Sequence, residues 1–219
     1  MFIGHFAAAL VARRAAPAVS LGTLFLAAQF IDLLWPTFLL LGIEDVVIAP
    51  GNTVVTPLEF VHYPWSHSLL AVLGWGLLLG GTHYALKGSR RAALVIGLLV
   101  ASHWFLDLLA HRPDLPLSAA ANSPVFGLGL WYSLPATMVV ELSLFAIGIA
   151  LYLRGTSALD NVGRWAPWAL FALLSVIYLG NLFGPPPEKV TDIAIVGHAQ
   201  WLLVWMAYWV DRHRATGTV

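Results

Sequence analysis

The run Arg91-AALVIGLLVASHWFLDLLA-His111 decides how this chain folds. Between its two ends the only strongly polar side chains are Ser102, His103 and Asp107. As a helix rising ~1.5 Å per residue, such a run covers roughly the 30 Å hydrocarbon core of a bilayer. Lipid offers no partner to an unpaired backbone amide or carbonyl, so a helix is the form this run must take.

Five further runs read the same way, giving spans over 18–42, 65–86, 91–111, 130–153, 165–183 and 191–210. A shorter apolar helix, Met1 to about Ala12, precedes them and cannot cross alone. Breakers stand between the runs: Pro17, Pro50-Gly51, Pro57, Gly88-Ser89, Pro113 with Pro116, Gly155 and Pro185-Pro186-Pro187. Pro135 and Pro167 lie just inside the fourth and fifth runs, where a first turn tolerates them. The expected fold is an all-α integral membrane protein of six full transmembrane helices plus a short N-terminal membrane helix. It forms one domain over 1–219, with no internal repeat.

Composition agrees. Hydrophobic residues make up 59% of the chain and charged residues 10%, too little charge to cover a soluble surface. Basic and acidic residues balance at 11 each, which argues against a nucleic-acid partner. Cysteine is absent, which excludes disulfides and thiolate metal sites. The basic pair Arg13–Arg14 follows the first apolar stretch, the reverse of a secretory signal's order, so that stretch is expected to remain.

Charge orients the bundle. Arg13, Arg14, Lys87, Arg90, Arg91, Arg154, Arg164, Arg212 and Arg214 fall at one set of helix ends, leaving only Arg112 and Lys189 opposite. The positive-inside rule puts these nine in the cytoplasm, and with them the C-terminus. Glu44, Asp45, Glu59, Asp114, Glu188 and Asp192 collect at the other face.

Ionisable residues inside the runs are few: Asp32, His67, His103, Asp107, Glu141 and His198, with His5 in the short helix. Each is costly at mid-bilayer, about 2.5–3.5 kcal/mol for a charged side chain, and calls for a partner. Helix rise from the cytoplasmic ends places His5 at ~14 Å, His103 at ~18 Å, Glu141 at ~20 Å, Asp32 at ~22 Å, Asp107 at ~24 Å and His67 at ~30 Å. These depths gather in the outer half. The short helix rises only far enough to bring His5 towards Asp32.

His103 and Asp107 share a helix face at i, i+4, and His111 continues the stripe. His62 and His67 stand at the mouth of the second run, beside the end of the third. Imidazole with carboxylate suits zinc, and also manganese or iron. The expected metal ligands are His5, Asp32, His67, His103 and Asp107. His62, His111 and Glu59 are candidates for a general base or for orienting a ligand, and Arg112, Asp114 and Glu141 for contacting a substrate. His83 lies one turn from Lys87 and His213 in the tail, and both are set aside. Glu141 and His198 could equally hold helices together. The tryptophans read as an interfacial belt, and Gly74, Gly76, Gly80 and Gly81 as sites of close helix approach.

Gly4-His5, Asp32, His62-Tyr-Pro-Trp-Ser-His67-Ser68 and Ser102-His103-Trp-Phe-Leu-Asp107 together resemble the YdjM-like family, predicted membrane-bound metal-dependent hydrolases of bacterial inner membranes. The likeness covers roughly residues 1–120; residues 121–219 carry additional transmembrane helices without a motif. Family members often carry Pro-Asp-x-Asp where this chain has Gln29-Phe30-Ile31-Asp32, one carboxylate fewer. The family is distantly similar to zinc-dependent phospholipase C, which implies phosphoester hydrolysis with zinc, on a membrane lipid or amphiphilic small molecule, in the inner (plasma) membrane. Two other functions compete on the same residues. One is a transporter relaying protons or ions along the His/Asp chain. The other is a scaffold whose metal only pins helices.

Overall fold

The structure, a computed structural model, describes residues 1–217. The short helix α1 (Ile3–Ala15) is followed by α2 (Leu21–Leu40), a one-turn α3 (Pro64–His67), then α4 (Leu69–Lys87), α5 (Arg90–Ala110), α6 (Leu134–Gly155) and α7 (Asn161–Phe183). The last apolar run forms two helices, α8 (Val190–His198) and α9 (Gln200–Arg212). Six segments are long and apolar enough to cross a membrane: α2, α4, α5, α6, α7 and the α8–α9 unit. Their outward faces are apolar as well, with Leu77 79% and Leu202 and Trp205 71% exposed, a surface suited to lipid and not to water.

Two features add to the expected fold. The chain is mostly helical, as expected, and among the described residues three two-stranded antiparallel sheets sit at the helix ends. The main one pairs β1 (Asp45–Ile48) with β2 (Leu58–His62), matching Val46 to Phe60 and Val47 to Glu59. Its β-branched residues and the Pro50-Gly51 turn favour a hairpin, with Gly51 at φ +90° where a side chain is strained. The small pairs β3 (Leu115–Pro116) with β4 (Val125–Phe126), and β5 (Thr156–Ala158) with β6 (Arg214–Thr216), close the ends of α5 and α6. The second concerns the last span, expected over 191–210 and present as Val190–Arg212, which is interrupted at Ala199. Gly197 there lies against Pro36 of α2, so close that a Cβ would come within 2.5 Å of Pro36 Cγ. His198 bonds across the break, its Nε2 3.0 Å from Thr37 Oγ1, and so acts as a link between helices, one of the two roles expected of it.

Helix starts follow their caps. Ser20, Ser68, Ser89 and Ser133 accept from backbone amides three residues on, and so fix where α2, α4, α5 and α6 begin. α1 runs three residues past the expected Ala12, and α7 starts at Asn161 because Asp160 caps it. In lipid, packing comes from close fit and not from hydrophobic expulsion. Gly76 and Gly80 let α4 approach α5, since a Cβ at either would lie 2.8 and 2.7 Å from the Gly97 and Ala93 carbonyls. Gly74 and Gly81 face nothing within 4 Å and play no such part. α1 lies among α2, α5 and α6, with Ile3, Phe6 and Leu10 fully buried and Gly148 of α6 against Ala7.

Candidate metal centre

Five side chains from four helices meet at one end of the bundle. His5 comes from α1, Asp32 from α2, His67 from α3, and His103 and Asp107 from α5. They form two groups, His5/His103/Asp107 and Asp32/His67/His103, each with its ligand atoms within 4.8 Å of one another and close enough to hold a metal ion. His103 belongs to both.

The separations suit ligands of one ion. His103 Nε2 lies 3.1 Å from Asp107 Oδ2 and 3.5 Å from Asp32 Oδ1, and His67 Nε2 lies 3.5 Å from Asp32 Oδ1. Tetrahedral bonds of about 2.1 Å place ligand atoms about 3.4 Å apart. His5 Nε2 comes within 3.1 Å of Asp107 Oδ1, and its ring stacks on His103 at 3.8 Å. The short helix therefore delivers His5 to Asp107 and His103 and not, as expected, to Asp32. The α-amine of Met1 lies 2.5 Å from the same Asp107 oxygen, a cation where the carboxylate draws one.

The other nitrogen of three rings is pinned. His103 Nδ1 is 3.0 Å from the Ala28 carbonyl, which only an N–H can bond, so Nε2 is left as the lone pair. Ser66 Oγ donates to Glu44 Oε2 at 2.6 Å and so accepts from His67 Nδ1 at 2.7 Å, again leaving Nε2 bare. His111 Nδ1 donates to Asp114 Oδ1 at 3.0 Å and turns its Nε2 to within 4.0 Å of Asp107 Oδ2. Outer partners of this kind set the tautomer of metal-binding histidines. His5 differs, since its Nδ1 is buried with no partner among the described residues.

Whether these residues fit a cation turns on one atom. His103 Nε2 is buried and has no hydrogen-bond partner among the described residues, although two carboxylate oxygens lie beside it. A bare lone pair facing two acceptors is held by a cation between them, a proton or a metal ion. The donor set fits. Of the five, Asp32 alone keeps a side chain 22% exposed, so the cluster opens past it.

No family model, curated protein or solved structure matches the chain.

The remaining sequence candidates separate. His111 and Asp114 join the cluster's outer rim. Glu141 accepts from the Phe2 and Gly4 amides at 2.9 and 3.1 Å, so it caps the start of α1. Arg112 is taken up by Asp114 at 3.0 Å, Asn52 at 2.6 Å and Glu59 at 3.1 Å, and it fastens the β1–β2 hairpin. Burial alone would lower its pKa, but Asp114 and then Glu59 outweigh that and raise it. Glu59 is engaged in this ion pair, away from the cluster. His62 is exposed on β2 opposite Asp45 and makes no bond to the cluster among the described residues. The strand pleat turns it outward.

Sequence reasoning missed Glu44, Ser66, Tyr63 and the aromatic wall. Tyr63 donates to Asp114 at 3.2 Å, and burial, with Asp114 and Asp107 behind it, pushes its phenol up so that it stays a donor. Phe60 and Trp131 lie 4.9 and 4.3 Å from His111, and Trp35 edges His67 at 6.2 Å. Glu44 carried a signal, an acid just past a span. Nothing local showed that it would turn inward to Ser66. Phe30 packs on Trp75.

Proposed function

We propose that this protein is a membrane-embedded metal-dependent hydrolase of the YdjM-like kind. It sits in the plasma membrane with its C-terminus in the cytoplasm and its metal centre towards the opposite side. Its substrate is a phosphoester on a lipid or other amphiphile, and zinc is the metal the donor set favours. The observation that carries this reading is the buried, unpartnered Nε2 of His103, shared by two His/Asp groups beside the partly exposed Asp32.

An ion bound there supplies a Lewis acid that polarises a phosphoryl oxygen and lowers the pKa of water. The chain's own residues do the rest. His103, His67 and Asp107 are fixed in place, the first two by Ala28 and by Ser66 with Glu44. His111 keeps a bare Nε2 beside Asp107 where it can take a proton, and Asp114 on its Nδ1 stabilises the imidazolium that results. Phe60, Trp131 and Trp35 form an apolar wall that excludes water and suits an amphiphile. Transport finds less support, since Leu21, Leu24, Phe25, Ala92 and Ile96 fill the interior on the cytoplasmic side of the cluster.

The test is metal content and turnover of the purified full chain. It should bind at least one zinc equivalent and cleave bis-p-nitrophenyl phosphate, with loss on chelation, recovery on zinc addition, and loss in His67→Ala. Protein that binds zinc but cleaves neither this ester nor phospholipid phosphoesters would be a scaffold, and the proposal would fall.

A further inference from the structure

The opposite end of the bundle holds a cavity of about 350 Å³, with arginines set in a largely apolar lining, between the ends of α1 and α6 and strand β6. Arg13, Arg14, Tyr152, Gly155 and Thr216 line it. Its size lies within the range of roughly 300–1,000 Å³ of small-molecule sites. Arg13 is buried, tied by Nη2 to Asp211 at 3.0 Å and by Nη1 to the Pro17 and Val19 carbonyls. Its Nε has no partner among the described residues, and neither has the hydroxyl of Tyr152, a residue wholly buried. Arg14 is exposed and forms no ion pair among the described residues. Arg214 lies over the Tyr152 ring at 5.6 Å.

Charge decides what such a cavity takes. Among the described residues, two guanidiniums of the lining, Arg13 and Arg14, and that of Arg214 behind Tyr152 stand against one carboxylate, Asp211, and about half a negative charge at each of two helix C-termini. The balance is about +1. Two unsatisfied buried N–H and O–H groups add donors for an acceptor-rich ligand. Helix ends that gather arginine meet the lipid headgroups, and basic pockets between helices on the cytoplasmic side recognise anionic ones.

We infer that this cavity binds the phosphate of an anionic phospholipid from the cytoplasmic leaflet, held by Arg14, the Arg13 Nε–H and the Tyr152 hydroxyl. The inference rests on the orientation proposed above and not on the hydrolase activity. The ligand sits at the far end of the bundle from the His/Asp cluster.

The experiment is thermal unfolding of the detergent-purified full chain, followed by tryptophan fluorescence, during titration with dihexanoyl-phosphatidylglycerol. The zwitterionic dihexanoyl-phosphatidylcholine and inorganic phosphate are run beside it. A saturable rise in Tm with the anionic lipid, absent with the zwitterionic one, is expected. Its midpoint should move at least fivefold upward in Arg14→Gln and in Tyr152→Phe, but stay put in Arg90→Gln, which removes a cation at the same face outside the cavity. An equal rise with both lipids, an unmoved midpoint in Arg14→Gln, or a rise with phosphate alone would each overturn the lipid site. Orientation is read separately. The chain has no cysteine, so Ser157→Cys supplies a single thiol at this end. A membrane-impermeant maleimide should label it only after cells are opened. Labelling of intact cells would overturn the assignment to the cytoplasmic leaflet, whereas the titration alone decides whether the cavity binds the lipid.

Discussion

Residues 1–120 and the helices after them divide the work unequally. The first part supplies every residue of the His/Asp cluster, with its pinning partners Ala28, Glu44, Ser66 and Asp114. The second supplies Glu141, which caps α1, Trp131 against His111, His198 on Thr37, and Gly148 beneath Ala7. One part carries the cluster and the other clamps it. A half-length helix such as α1 cannot span, so it holds its position only through neighbours, and α6 is the chief of them.

Four measurements break or sharpen that division. His103→Ala removes the ligand both groups share, and bound zinc should fall by more than the 10–100-fold that losing an outer partner costs. Ser66→Ala frees His67 Nδ1 from Glu44 and should weaken zinc binding roughly 10–100-fold in chelator competition, with the fold intact by circular dichroism. Glu141→Gln weakens two buried bonds to the α1 amides. It should cost about 1–3 kcal/mol in denaturant unfolding while zinc affinity drops less than in Ser66→Ala. A larger loss of zinc than in Ser66→Ala would show that the clamp belongs to the site. The smallest effect lies at Asp160, whose carboxyl is held below its usual range by the Gly163 amide and then by His213. A depressed carboxylate stabilises the fold above its unfolded pKa of about 3.9, and that stabilisation goes as pH falls through the lower folded value. Asp160→Asn should therefore lower Tm slightly at pH 7, where the charged carboxylate contributes, and converge with the unsubstituted chain as pH falls below about 4 and Asp160 is protonated, flattening the acid limb of the Tm profile.

What was legible follows from how far each signal acts. Spans depend on runs of roughly twenty residues, so all six were readable, and so was the gathering of His5, Asp32, His67, His103 and Asp107, because helix rise converts position into depth. Rotation about the helix axis was less readable. It decided that His5 meets Asp107, and that Gly76 packs where Gly74 does not. The hairpin hid because its strands are only four and five residues long. The break at Ala199 has no proline of its own to announce it; what lies beside it, Pro36 against Gly197, is on another helix. His62 and Glu59 lie apart from the cluster, His62 exposed on β2 and Glu59 paired with Arg112, because both fall in a hairpin that the span pattern did not announce.

The bond from Glu141 to Gly4 joins residues 137 positions apart. A chain leaves the ribosome in order, so His5 is made well before Glu141. Its helix is not capped until α6 has been made and inserted. A nascent chain halted after residue 120 would present the cluster's residues with α1 undocked, and cross-linking of Ala7→Cys to Gly148→Cys at successive lengths would time its capture. In this protein α1 is secured by a helix that follows it by more than a hundred residues.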